Sequence, residues 1–168
     1  LINVAFGGTL YQDIVTQGGA DHLHHHNPHA YDQHYHSITL VAGSGLARLY
    51  PNLGNVRVNS IHHQAAKTLG KDLVSEALSV ADNMIEAIRW QGPSSVVGVQ
   101  WHPEFHDPAD TSLLDGNPLL LEFLAEAEKA RHELIERIAE NDDKTMSDYL
   151  DGKEIDLETL RKTLRKAV

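Results

Sequence analysis

The sequence contains no cysteine. That absence excludes disulfides, thiolate metal sites and a cysteine nucleophile of its own. No stretch approaches the ~18 consecutive apolar residues of a bilayer-spanning helix, so no membrane partner is expected. There is no basic segment followed by an apolar stretch, so no secretory signal is read and a cytoplasmic location is expected. Positive charge is scarce: 14 Lys and Arg stand against 24 Asp and Glu, a formal charge of −10. Sequence-independent binding to a phosphate backbone needs clustered Lys and Arg, so no nucleic-acid partner is expected. What remains is ordinary. The 168 residues are 41% hydrophobic and 23% charged, as in one globular domain with or without an appendage. The chain starts at Leu1 rather than Met, which points to a processed product or a fragment.

Charge divides the chain unevenly. Residues 1–118 carry 11 acidic and 5 basic residues, whereas residues 119–168 carry 13 and 9. All but one of the 12 His lie in the first part. The step predicts two pieces, residues 1–128 and a helical extension over residues 129–168.

The first piece reads as the later half of an α/β domain. L-I-N-V-A-F looks like the end of a helix that Gly7-Gly8 stops in a left-handed turn. Thr9 to Ile14 reads as briefly extended, and residues 18–36, rich in Gly, His, Asn and Pro, as a loop. β-rich runs follow at Ser37–Val41, Asn55–Val58, Leu73–Val80, Met84–Trp90 and Ser95–Gln100. M-I-E-A-I-R-W alternates as a strand with one wet face does, and S-V-V-G-V-Q has the continuous apolar character of a buried strand. In the second piece Leu120, Leu124, Ala127, Leu134 and Ile138 mark an amphipathic helix. Asn141-Asp142-Asp143 breaks it. A short helix over Met146–Leu150 follows, and Asp156 is a suitable N-cap for a last helix through Lys166.

Three motifs could carry chemistry. In G-V-Q-W-H-P-E, Gly98 to Glu104, a strand ends and an imidazole and a carboxylate follow two residues apart. Pro103 keeps His102 out of helical geometry, so Glu104 can accept a hydrogen bond from one ring nitrogen and leave the other as a general base. A surface His beside an acid would look the same. V-N-S-I-H-H-Q, Val58 to Gln64, gathers polar side chains just after a strand, where open α/β sheets bind ligands; an ordinary polar loop has the same composition. The run His22 to His29, with His34 and His36 beyond it, offers imidazoles to zinc, copper or nickel, but nothing in the spacing makes them converge, and no metal ligand is assigned. Gly7 to Leu10 lacks the G-x-x-x-x-G-K pattern of a phosphate loop.

Taken together and in this order, L-I-N-V-A-F-G-G-T-L-Y-Q-D, V-N-S-I-H-H-Q and G-V-Q-W-H-P-E resemble the class I glutamine amidotransferase-like hydrolases. The branch they resemble is the γ-glutamyl-γ-aminobutyrate hydrolase group, peptidase family C26, and the likeness runs from Leu1 to about Ala127. The resemblance implies a flavodoxin-like three-layer α/β domain, of which this chain is the C-terminal portion plus a helical segment. It implies a Cys-His-Glu triad in which His102 is the catalytic His and Glu104 its orienting acid. It places His62, His63 and Gln64 beside the substrate, and it calls for no cofactor. The family's nucleophile lies in a C-R-G-x-Q elbow, which this sequence lacks. The chain alone is therefore expected to be inactive, and to need a Cys-bearing N-terminal half or to self-associate as a homo-oligomer. A small γ-glutamyl substrate is expected only once a nucleophile is supplied.

Ala130 to Ala167 resembles a helical segment of translation elongation factor G, similar to the insertion in that factor's GTPase domain. None of the nucleotide-binding motifs is present, so GTP binding is not implied. This opens an alternative: a non-catalytic chimeric or engineered fragment with an oligomeric fold. A second alternative is a metal-binding module built on the His-rich loop.

Overall fold

The computed structural model describes residues 1–18, 34–105 and 109–166. The run His22 to His29 lies outside the described residues. The described elements are α1 (Ile2–Ala5), β1 (Thr9–Tyr11), α2 (Ile14–Gly18), β2 (Tyr35–Leu40), α3 (Gly45–Leu49), β3 (Asn55–Asn59), β4 (Ala65–Thr68), β5 (Leu73–Ser79), β6 (Ile85–Trp90), β7 (Val97–Val99), a 3-10 turn (Pro103–Phe105), α4 (Asn117–Ala139), α5 (Asp143–Leu150) and α6 (Leu157–Lys166). They form two compact units, Leu1–Leu120 and Leu121–Val168.

In the first unit seven strands make one sheet, in the order β1-β4-β6-β5-β2-β3, with β7 also on β6. Every named strand pair is antiparallel. β5 and β6 form a hairpin whose turn uses Asn83 at φ 58°, a left-handed position that Asn tolerates. The carboxylate of Asp82 accepts from Met84 N at 3.0 Å within the same turn. β6 is shared on its other edge: β4 pairs at Ile85, and β7 pairs at Ala87 to Arg89.

The core follows from one side of this sheet. Ile38, Leu46, Tyr50, Val58, Ala77, Ala87, Trp101 and Leu114 pack into one buried cluster. The members come from β2, α3, β3, β5, β6 and the segments after β7, so burying this surface ties distant parts of the chain together. A smaller cluster joins Ile14, Ala65 and Met84, with Tyr11 against it.

The N-terminal turn is fastened by Asn3, only 4% exposed. Its Nδ2 donates to the carbonyls of Thr9 (2.9 Å) and Thr68 (3.0 Å), and its Oδ1 accepts from Gly70 N (2.9 Å). Gly7, at φ 84°, makes the left-handed turn after α1. Asn3→Ala removes all three bonds and leaves a buried N–H unmatched, at a cost of about 3 kcal/mol. The expected readout is a lower urea midpoint with an unchanged slope. An unchanged midpoint would show that water replaces the amide.

Several expectations shift in the folded molecule. The loop expected over residues 18–36 gives way to β2 at Tyr35, so His36 is a buried strand residue. α3 and β4 are absent from the sequence pattern. Ser44 starts α3 as its N-cap, accepting from Ala47 N at 3.1 Å. β7 is half-buried rather than buried, because among the described strands it pairs only with β6. β6 has no fully wet face either: Glu86 and Ala87 are each 1% exposed, and Glu86 falls in a bulge where the pairing passes from Ala87 with Ala77 to Ile85 with Leu78.

In the second unit Asp142 caps α5 by accepting from Thr145 N at 3.1 Å, and Lys166 donates to it at 2.6 Å. These bonds, that from Lys166 first, hold the Asp142 carboxyl at about 2. Asp156 caps α6, accepting from Thr159 N at 2.9 Å. No described helix is long and apolar enough to cross a membrane.

Candidate active site

The site forms where β3 and β7 end. After β7, Gln100 N donates to the carbonyl of Glu86 at 2.8 Å. Trp101 then drops into the core at 6% exposure. That anchored indole fixes the chain one residue before His102. Asn59, the last residue of β3, clamps the other side. Its Nδ2 donates to His102 O at 2.6 Å and its Oδ1 accepts from His102 N at 2.7 Å. The backbone of His102 is thus held from both the core and the neighbouring strand before its side chain does anything.

The ring of His102 has one nitrogen committed. Nδ1 lies 2.9 Å from Glu104 Oε1. An ionised carboxylate only accepts, so Nδ1 carries the proton and Nε2 presents its lone pair. Phe105 stacks on the imidazole, with centroids 5.2 Å apart and planes 24° apart. His102 is 38% exposed and Glu104 60% exposed, so both reach solvent as a working pair must.

The Glu104 carboxyl titrates below its ordinary value of 4.5, first because His102 donates to it and then because of a main-chain bond, while slight burial opposes both. A depressed carboxylate stabilises the fold above its unfolded value, and that contribution is lost as pH falls through the folded one. The pair is exposed, so its effect on stability is small. The measurable expectation is a carbon-detected titration of Glu104 with a midpoint below 4.5 that moves upward in His102→Ala. A midpoint indifferent to that substitution would separate the two groups.

A cleft of about 610 Å³ opens beside this pair. His62, His63, Gln64, His102 and Glu104 all line it. These are five residues singled out from two motifs far apart in sequence. Their surroundings differ. His63 is exposed and Gln64 half-exposed, with Gln64 Nε2 donating to Gln12 Oε1 at 3.1 Å. The His62 side chain is 10% exposed, and its Nε2 turns inward, 3.7 Å from Glu86 Oε1. Gln100 Nε2 donates to Gln64 O at 2.6 Å, bracing the H-H-Q segment against the strand that leads to His102.

Sequence reasoning assigns no role to Asn59, Gln100, Trp101 or Glu86. Asn59, Gln100 and Trp101 lie inside the motifs. The only available signal is their place, at or just after the ends of β3 and β7.

The α/β sheet is that of a class I glutamine amidotransferase-type domain. A solved structure from Thermoplasma acidophilum, provisionally assigned as part of a GMP synthase, aligns with a TM-score of 0.51 at 13% identity, covering 77% of this chain and 53% of that one. At that identity the likeness is one of fold. The family model for peptidase C26 matches residues 1–104, and the chain belongs to that family. Among curated relatives, protein NtpR of Enterococcus hirae is 37% identical over 105 residues, 62% of this chain and 43% of that protein. The γ-glutamyl-γ-aminobutyrate hydrolase PuuD of Escherichia coli is 35% identical over 107 residues, 61% of this chain and 41% of that protein. This chain therefore spans less than half the length of these relatives.

Proposed function

We propose that this chain supplies the general base of a cysteine-dependent γ-glutamyl amide hydrolase whose nucleophile comes from another polypeptide segment. The observation that carries the reading is the His102–Glu104 pair at 2.9 Å on the rim of a cleft that also holds His62, His63 and Gln64. Membership of the C26 family and the likeness to a γ-glutamyl-γ-aminobutyrate hydrolase support it.

Nε2 of His102 accepts the thiol proton of the incoming Cys, and the thiolate adds to the γ-glutamyl carbonyl. Collapse of the adduct breaks the C–N bond, and His102 returns the proton to the leaving amine. A thioester remains. Water, deprotonated by the same nitrogen, then releases glutamate and restores the thiol. Glu104 keeps Nδ1 protonated and stabilises the imidazolium between these steps. The sequence has no Cys, so none of this starts without a partner.

The test is complementation. The purified chain is assayed on a chromogenic γ-glutamyl anilide, alone and with an N-terminal half bearing C-R-G-x-Q. No turnover alone and turnover with the pair is the expected result. Turnover by this chain alone, or none with a folded complex, would refute the proposal.

A second reading is self-association without catalysis. Leu121, Phe123 and Leu124 are more than half exposed along the first turns of α4, and exposed apolar clusters mark contact surfaces. Native mass spectrometry separates the two: a homo-oligomer that does not exchange for the Cys-bearing half favours the second.

A further inference from the structure

Behind the cleft, three side chains from separate elements converge in the interior. They are His36 of β2, His62 of the β3–β4 connection and Glu86 of β6. One ligand atom from each lies within 4.8 Å of the other two, and all three groups are buried. His36 Nε2 is 3.4 Å from Glu86 Oε2, and His62 Nε2 is 3.7 Å from Glu86 Oε1. We propose that this His36–His62–Glu86 cluster binds a divalent transition-metal ion of the zinc class, as a structural site that fixes the H-H-Q segment beside the cleft.

Three observations carry this. The first is spacing. Two ligands about 2.05 Å from one tetrahedral ion are ~3.4 Å apart, and the His36–Glu86 separation is 3.4 Å. At 3.4 and 3.7 Å the imidazole–carboxylate contacts are longer than the usual ~2.7–2.9 Å of a charge-assisted hydrogen bond. The second is ring orientation. The two imidazoles stand nearly perpendicular, at 79°, with centroids 6.1 Å apart, which aims two edges at one point without stacking. The third is the outer shell. His62 Nδ1 lies 2.9 Å from the carbonyl of Gln64. A metal-bound His commonly donates its other ring N–H to a main-chain carbonyl, which fixes the tautomer and directs the lone pair at the ion.

Gln100 lets the site exist in two states. Its Nε2 is 2.9 Å from His62 Nδ1 and 2.6 Å from Gln64 O. Without an ion, Gln100 donates to Nδ1 and the proton sits on Nε2, facing Glu86. With an ion, the proton moves to Nδ1 and is donated to Gln64 O, while Gln100 donates to that carbonyl alone. The donor set of two neutral imidazoles and one carboxylate suits zinc, cobalt or nickel over calcium or magnesium. An ion here would bridge three elements that lie well apart in the sequence.

The competing sink is the His-rich run, so the test removes it first. A loop variant carries Gln at His22, His24, His25, His26 and His29 in the full chain, stripped with chelator and titrated with Zn²⁺. One equivalent is expected to bind, with a rise in melting temperature that chelator reverses. Glu86→Gln and His36→Gln in that background are expected to weaken Zn²⁺ binding by at least the ~10–100-fold that loss of an outer partner alone costs, with far-UV circular dichroism checking the fold. Should either variant unfold, zinc-edge X-ray absorption on the loop variant decides: two imidazoles plus carboxylate oxygen support the site. No tight zinc in the loop variant, unchanged affinity in a folded Glu86→Gln, or an absorption spectrum without two imidazoles would overturn it. The first of these would leave an imidazole–carboxylate cluster with no metal.

Discussion

Replacing His102 by Ala is expected to lower kcat/KM of the proposed two-part hydrolase by ~10⁴-fold, because on that proposal the thiol then has no positioned base and the leaving amine no acid. The change should appear in kcat rather than in KM, since Nε2 interacts most strongly when it is protonated between steps. The fold should be untouched. The ring is 38% exposed, and its pairing with Glu104 is a surface pair of small energetic weight. The backbone position is set by Asn59 and Trp101, which the substitution leaves in place. Glu104→Gln keeps an acceptor but loses the charge that supports the imidazolium, so its loss should be smaller. The measurement is steady-state kinetics on the complex of the two halves, with complex formation checked for each variant. Activity of His102→Ala within tenfold of the parent would remove His102 from the proposed role.

The largest stability effect is expected at Glu76. This carboxylate sits inside the first unit at 1% exposure. Its Oε1 accepts from Gly45 N and its Oε2 from Leu46 N, both at 2.9 Å. Arg89 Nε lies 3.0 Å from Oε1. One side chain thus satisfies the opening N–H groups of α3 and pairs with a charge on β6. Gly45 is needed for this approach, since a Cβ there would stand 2.5 Å from Arg89 Nε. Glu76→Ala strands two N–H groups and a largely buried guanidinium, at a cost of about 3–5 kcal/mol. Urea unfolding should report it as a lower midpoint. Glu76→Gln should cost less, because one oxygen still accepts. A midpoint for Glu76→Ala within 1 M of the parent in urea, roughly 1–3 kcal/mol by usual slopes, would show that the Gly45, Leu46 and Arg89 contacts together contribute less than this.

Glu76 also shows why the pattern of β5 misleads. In L-V-S-E-A-L-S simple alternation puts Glu76 on the face opposite Ala77. The pairing runs Ser75 with Ile88 and Ala77 with Ala87, so Glu76 is an extra residue in a bulge. A bulge re-aims one side chain, and here it turns a carboxylate inward. Nothing local in the sequence marks it, because the bulge exists only against β6. Glu86 is similar. The pairing passes from Ala77 with Ala87 to Leu78 with Ile85, so Glu86 is likewise the extra residue of a bulge, and His36 and His62 meet it from elements 50 and 24 positions earlier.

Features set by local physics are legible in the sequence. Asp156 and Ser44 illustrate the two outcomes. The first precedes a clear helical period and reads as a cap; the second caps only a one-turn helix, too short to leave a period. The proximity of His102 and Glu104 is also local, because two residues around a proline leave few arrangements. The composition step between the two parts of the chain needs only counting. The family likeness needs only three motifs in order.

Tertiary structure decided the rest. It brought V-N-S-I-H-H-Q against W-H-P-E by ending β3 and β7 at the same place, and it made Asn59 the clamp on His102. It also buried His36 beside Glu86. The reason is the same in each case. Periodicity reports which face of an element is apolar, but register and strand order decide which polar groups meet behind that face, and those are settled only when the whole sheet closes on its core.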